Sequence, residues 1–388
     1  MKFKFLFPLY IVSFVSLLLY SYTQIDLNLT LSKFEPILSS QRFFQQIGYF
    51  QRPLSTALYL GIIGILFLLY LLSLNLAKER KLAKLDLWKI ILFGGIILTF
   101  SYNAFSYDLF NYIFDAKIVT YYGQNPYTHK ALDYQGDPML NFMRWTHRTY
   151  PYGPSWLTLT VPLSFLGFNF FLPTAILFKS LATAAYFGTV LFIGKILRRV
   201  DPKNAIFGVV FFALNPLVIV ESLVSAHLDI IMMFFGVLAF YLLISKRYIP
   251  SFLALIFSIG IKFATVFLIP IFVWVWYKRG SVNWERVVKF STILMSASVI
   301  AASFRTNFQP WYLISVLPFA ALLSKRSYIL IPTLILSFSS LLIYVPFLYT
   351  GNWDPPIPTI LFWINAIAVS LVVFLISGKV LINGRIKL

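Results

Sequence analysis

Long apolar runs separated by short polar breaks dominate this chain. They fall at 5–22, 54–76, 88–105, 156–172, 174–197, 205–220, 230–244, 250–261, 263–277, 287–304, 311–323, 328–349 and 359–377. Several approach the roughly 20 residues that an α-helix needs to cross a bilayer. The stretches 60–76 and 361–377 are almost unbroken, whereas a membrane β-barrel would alternate polarity over segments of about ten residues. The pattern predicts an all-α polytopic membrane protein of about 11–13 transmembrane helices, with no soluble domain and no low-complexity segment.

The polar breaks predict how these helices thread. Lys and Arg gather in short loops: Lys2 and Lys4, then 78–84 (KERKLAK), Arg198 with Arg199, Lys246 with Arg247, Lys278 with Arg279, Lys325 with Arg326, and finally Lys379, Arg385 and Lys387. The positive-inside rule places all of them in the cytoplasm. The Asp108 loop, 221–229, Lys262, 305–311 and 351–358 then face outward. Two apolar segments lie between Tyr150 and Arg198, where an odd number of crossings is needed. Either 156–172, broken at Pro162, is re-entrant, or Arg198 and Arg199 depart from the rule.

One polar stretch stands out against this background. Residues 101–156 hold Asp108, Asp115, Asp133 and Asp137 from a total of 13 acidic residues, and two of the three histidines, His129 and His147. Ser101, Tyr102, Asn103, Ser106 and Tyr107 read as a polar collar at the membrane surface. The spacing of Phe110, Ile113, Phe114 and Ile118 predicts a helix lying in the interface. Gly123-Gln-Asn-Pro-Tyr127 reads as a turn. A partly buried carboxylate such as Asp108 has its pKa raised toward the working pH and can act as a general base.

Composition adds two exclusions. The chain is 59% hydrophobic and 12% charged, with a mean hydropathy of +0.81; a soluble domain carries about twice that charge. The net charge of +19 lies in the short loops and serves topology, so no nucleic-acid partner is expected. There is no cysteine, which excludes disulfides and a thiol nucleophile. Residues 2–22 lack a small-residue cleavage site and are followed by further spans, so they read as an uncleaved first helix rather than a signal peptide.

Further polar clusters accompany the loop. Arg144, His147 and Arg148 precede Tyr150-Pro-Tyr152-Gly-Pro154, and an Arg pair can hold a phosphate through charge-assisted hydrogen bonds. Asn215-Pro216, Glu221 and His227-Leu-Asp229 join two apolar helices; ionisable groups at membrane depth are costly and usually functional. His227 and Asp229 alone fall well short of a zinc signature. Lys262 divides two apolar halves that suit a tight hairpin with the lysine at its outer tip, where it either binds a lipid phosphate or snorkels. Arg305 and Gln309-Pro-Trp311-Tyr312 form a similar corner.

In this order, the motifs resemble those of the GT-C superfamily, integral-membrane glycosyltransferases that use polyprenyl-phosphate sugars. The similarity is greatest to bacterial and archaeal polyprenol-phosphate-mannose-dependent mannosyltransferases. It rests on Ser106-Tyr-Asp108 with Tyr112, Gly123-Gln-Asn125-Pro-Tyr127, Tyr150-Pro-Tyr152-Gly-Pro154, Asn215-Pro216 with Glu221, His227-Leu-Asp229, Lys262 and Pro310-Trp311-Tyr312. It covers 88–323, preceded by two helices in 1–87 and followed by a C-terminal helical segment, 324–388.

The resemblance implies a multi-pass protein of a prokaryotic plasma membrane with its active site on the outer face. It further implies transfer of a hexose, mannose first, from a polyprenyl phosphate to a hydroxyl of a glycan, lipid or protein acceptor, with inversion. Asp108 maps onto the catalytic base. Tyr112, Asp115, Asn125, Tyr127, Arg144, His147, Arg148, Tyr152, Glu221, His227, Asp229, Lys262, Arg305, Trp311 and Tyr312 are the expected substrate-binding residues. No cofactor is implied; a divalent metal is compatible with the Asp and His side chains but the chemistry does not require one. Many members pair two acidic residues at the base position, whereas this chain has single Asp108, with Asp115 two helical turns on near the same helix face. A transporter or flippase of a lipid-linked sugar is the alternative; it would favour mid-span ionisable residues and inverted repeats.

Overall fold

In hydrocarbon a backbone must satisfy its own N–H and C=O groups, so apolar stretches fold as helices until a proline or polar break stops them. The computed structural model describes residues 3–383; Lys2, Arg385 and Lys387 lie outside the described residues, as does the side chain of Lys4. Among the described residues the regular elements are all helices, with no strand. It opens with α1 (Phe3–Tyr22), α2 (Glu35–Gln45), α3 (Arg52–Lys78) and α4 (Lys84–Thr99). Helix α1 packs on both α3 and α4. The Tyr10 hydroxyl meets Ser73 Oγ at 3.0 Å and the Tyr20 hydroxyl meets Ser55 Oγ at 3.2 Å, tying α1 to α3.

The polar stretch follows as α5 (Asp108–Thr120), a loop with two 3-10 turns, and α6 (Pro154–Leu166). Next come α7 (Phe171–Val200), α8 (Ala205–Ala213) and α9 (Pro216–Ile219), which runs into a π-helical turn, Val220–Val224. Then α10 (Asp229–Ile244) and α11 (Tyr248–Ile261) lead through a 3-10 stretch, Phe263–Leu268, to α12 (Ile269–Tyr277). The chain closes with α13 (Trp284–Thr306), a 3-10 stretch Pro310–Ser315, α14 (Leu317–Ala321), α15 (Ser327–Leu342), α16 (Tyr344–Thr350) and α17 (Ile357–Asn383).

Among the described residues, six helical segments are long and apolar enough to cross a membrane: α1, α3, α7, α13, α15 with α16, and α17. The pair α8–α9, bent by 54°, makes a seventh if taken as one span. This is the all-α polytopic membrane fold that the apolar pattern predicts. Several apolar segments are shorter or more broken than their hydropathy suggests. The segment 205–220 breaks because Pro216 cannot continue a helix, and Asn215 Oδ1 accepts the Leu217 N–H at 2.9 Å to start a new one. Segment 311–323 is no single helix but a 3-10 stretch and the five-residue α14, each opened by a proline.

The two readings of 150–198 separate here. Helix α6 lies beside α5, with Tyr112 against Trp156 and Thr120 Oγ1 at 2.9 Å from Ser164 Oγ. It stops where Phe168 and Asn169 both take left-handed backbone, φ 54° and 57°, and α7 starts again beside Phe110 and Phe142. Only α7 is long enough to cross in this interval, so the basic Arg198 and Arg199 keep company with the other basic loops. Arg199 reaches Ser245 beside Lys246, Lys246 flanks Gly280, and Arg326 pairs with Glu285.

Candidate active site

The segment before α5 is anchored inward rather than forming a collar at the surface. Ser101, Tyr102, Asn103 and Ser106 are buried. Ser101 Oγ accepts from Lys179 Nζ at 2.9 Å, and the same ammonium donates to the Val224 carbonyl at 2.8 Å. The Tyr102 N–H donates to Ser21 Oγ, and Asn103 Nδ2 to the Ser106 carbonyl. Most polar groups so buried find such a partner; Asn103 Oδ1 does not. The apolar face of α5 is likewise covered by protein: Phe110 packs on Phe142 and Phe171, and Phe114 on Tyr134.

These anchors set Asp108 in the first turn of α5, where the helix dipole favours a carboxylate. Its N–H donates to Ser106 Oγ at 3.1 Å, and that hydroxyl also meets His227 Nε2 at 3.1 Å. Asp108 Oδ2 lies 3.7 Å from the same imidazole nitrogen; the Asp108 side chain is 20% exposed and His227 has no exposed surface. Asp108 is thus the member of the pair that an incoming molecule can touch.

His227 is held on three sides. Its Nδ1 lies 3.0 Å from Glu221 Oε2, close enough for a charge pair but without hydrogen-bond alignment, and neither atom has another partner. Glu221 Oε1 accepts the Tyr344 hydroxyl at 2.8 Å. The imidazole stacks on Trp311, with ring centres 4.1 Å apart. The local backbone is unusual: Glu221 sits in the π-turn, and Ala226 has φ 50°, left-handed for a residue with a Cβ. Such features recur at functional sites.

Lys262 completes the group. Its ammonium donates to both oxygens of Asp229, at 2.8 and 2.9 Å, and stands 5.1 Å from the Tyr312 ring centre. The break between α11 and the following 3-10 stretch falls at this lysine, as the two apolar halves predict. Burial pushes the Asp108 carboxyl up; His227 and Lys262 pull it back, Asp229 pushes it up again and Arg148 lowers it, leaving it above the usual carboxylate range. Burial opposes protonation of His227, but Glu221, then Asp108 and Asp229, outweigh it and hold the imidazole above its ordinary value.

The other expected residues divide. Tyr112 and Tyr152 pack edge to face at 5.4 Å, close enough for Asp108 and Asp229 to act on both. Arg148 stacks over Trp145 at 4.3 Å. Asn125 and Tyr127 shape the turn: Asn125 Oδ1 accepts the Tyr127 N–H, and the Tyr127 hydroxyl donates to the Tyr152 carbonyl. Arg144 stands over Tyr107, whose hydroxyl donates to Asp26. His147 is exposed beside Trp145, and Arg305 is exposed in the last turn of α13. Asp115 lies near Tyr150 and Tyr152, away from the imidazole, and burial raises its carboxyl to about 8. Asp133 and Asp137 are loop clasps: Asp133 accepts the Lys130 N–H, and Asp137 holds Lys117 and the Tyr122 hydroxyl. Among the described residues no three His, Asp or Glu side chains gather as a metal site.

The family described as alpha-(1->6)-mannopyranosyltransferase, N-terminal domain (the MptA_B family), matches residues 15–278. The chain belongs to this family. It is an integral-membrane mannosyltransferase, in agreement with the resemblance read from its motifs. No curated protein and no solved structure matches it. The matched stretch of the enzyme contains Asp108, Glu221, His227, Asp229 and Lys262. Trp311, Tyr312 and Tyr344 come from beyond it. Tyr344 and Lys179 escape a reading of the motifs. Lys179, a cation inside an apolar run, does carry a signal; Tyr344, one of 23 tyrosines, carries none.

Proposed function

We propose that this mannosyltransferase takes mannose from a polyprenyl-phosphate donor at the outer face of a prokaryotic plasma membrane. Asp108 removes the proton from an acceptor hydroxyl as the acceptor oxygen bonds to the anomeric carbon. The bond from that carbon to the phosphate oxygen breaks in the same displacement, and polyprenyl phosphate leaves. One displacement inverts the anomeric centre, so an α-(1→6) product, as in the family's description, calls for a β-linked donor. Negative charge gathers on the leaving phosphate, and cations aimed at it stabilise the transition state. Lys262 and Arg148 suit that role because both act on Asp108 from nearby. His227 suits it less, since the ring is buried and engaged on both nitrogens and one face.

The observation that carries this reading is the open edge of Asp108 beside a buried imidazole and a lysine. The test is mannose transfer in proteoliposomes loaded with radiolabelled polyprenyl-phosphate mannose and a membrane glycan extract. Asp108→Asn is expected to lose at least about 10²-fold in rate, the scale of a lost general base, and NMR of the product is expected to show inversion. Transfer that survives the substitution removes Asp108 as base. Movement of the labelled lipid between leaflets without transfer would favour the flippase alternative.

A further inference from the structure

We propose that Tyr344, Glu221 and His227 form a buried positioning device that keeps an imidazolium beside Asp108, so that the base stays ionised and correctly turned in a site that excludes water. The inference rests on the reading of Asp108 as base. Glu221 and His227 have no exposed surface and Tyr344 is 5% exposed, so no solvent replaces a missing partner. Glu221 has one oxygen on the Tyr344 hydroxyl and the other facing His227 Nδ1. A buried carboxylate left without a counter-charge carries a large desolvation cost. An imidazolium with Nδ1 3.0 Å from Glu221 Oε2 supplies that counter-charge. The second imidazole nitrogen then has a proton to direct at Ser106 Oγ and Asp108 Oδ2. Trp311 fixes the ring plane from its face.

The charges facing this group come from every element around it. Asp108 and Tyr112 lie on α5, Tyr152 and Arg148 on the loop, Asp229 on α10 and Lys262 after α11. Glu221 lies on the π-turn, Tyr344 on α16 and Tyr59 on α3. Lys262 pairs with Asp229 at 2.8 Å. The His227 charge is the largest influence that opposes burial at Asp108, and Lys262 is the next. Glu221, His227 and Tyr344 act through Asp108 and are positioning residues, not catalytic ones.

The experiment is the pH dependence of kcat/KM for the full-length enzyme and for Glu221→Gln, His227→Gln and Tyr344→Phe. Loss of the imidazolium lets burial raise Asp108 further, so the acid limb is expected to move to higher pH by about one unit in the first two variants. Tyr344→Phe should move it less, in the same direction. A role in packing alone would lower kcat at every pH and leave the limb in place; an unmoved limb in both Glu221→Gln and His227→Gln overturns the proposal. Should a variant be inactive, ring ¹⁵N NMR decides. The chain has three histidines, and replacing His129 and His147 by Gln leaves His227 as the single signal. Its titration midpoint is expected above that of a free imidazole in the parent and lower once Glu221 is Gln; a parent midpoint not above the free value overturns the proposal. Failure of Asp108→Asn to impair transfer would strike the proposed function instead, and the NMR result would stand apart from it.

Discussion

Asp108 and Asp115 lie on one helix and differ in what surrounds them. Asp108 has an imidazole, a lysine and an arginine to oppose its burial, whereas burial is what moves Asp115, to about 8. A carboxyl in the unfolded chain titrates near 4. Between about pH 4 and about pH 8 the folded protein therefore holds a proton that the unfolded chain has lost. The stability tied to that proton is complete below about pH 4 and is lost as pH rises through the window. Asp115→Asn removes this dependence. Thermal unfolding in detergent is expected to show the variant gaining on the parent between about pH 5 and about pH 8; a gap unchanged with pH would contradict the assignment. The scarcity of charge makes Asp108, Glu221, His227, Asp229 and Lys262 legible in the sequence. Their pairing is not, because Asp108 and His227 meet across 119 positions that no local pattern spans.

At the scale of elements, the site depends on how closely two helices approach. The Gly153 N–H, at the start of α6, donates to the Ile261 carbonyl at 3.3 Å, one residue before Lys262. A Cβ on Gly153 would overlap the backbone carbonyl of Gly260, which has no side chain to swing aside. A Cβ on Gly260 would meet the Ser155 hydroxyl, which can rotate. Gly153→Ala is therefore expected to cost about 1–3 kcal/mol and to raise the donor KM by displacing Lys262. Gly260→Ala should be milder on both counts, as unfolding midpoints and steady-state kinetics would report. The breaks at Pro216 and Phe168–Asn169 follow the same logic. Prolines announce breaks in the sequence, whereas two left-handed residues after α6 do not, since neither is glycine.

For the whole molecule, the C-terminal helices contribute more than spans. Trp311 and Tyr344 lie beyond the family match yet close the site around His227 and Glu221. By contrast, only 6% of the apolar window of α17 is buried, so most of that helix is left to lipid. The basic loops around Arg199, Lys246, Gly280 and Arg326 meet at one end, and under the proposed function that end faces the cytoplasm. A chain without cysteine allows a direct check. Gln135→Cys, in the exposed loop after α5, is expected to react with an impermeant maleimide on intact cells, and Lys81→Cys, exposed between α3 and α4, only after lysis. The reverse pattern would overturn the outer-face reading.

Hydropathy alone determined that the chain is a helical membrane protein, because burial in lipid demands long apolar runs and self-satisfied backbone. The ordered polar motifs alone determined its resemblance to glycosyltransferases and marked Asp108, since a costly charge in an oily chain is seldom incidental. Tertiary structure decided which apolar runs are full-length helices, because side-chain capping and left-handed turns stop a helix without altering its hydropathy. It also decided that Asp108 faces a clamped imidazole while Asp115 does not. Partners drawn from α3, α5, the π-turn, α10, the break after α11 and α16 set the local field, and proximity across such distances in the chain is created only by packing.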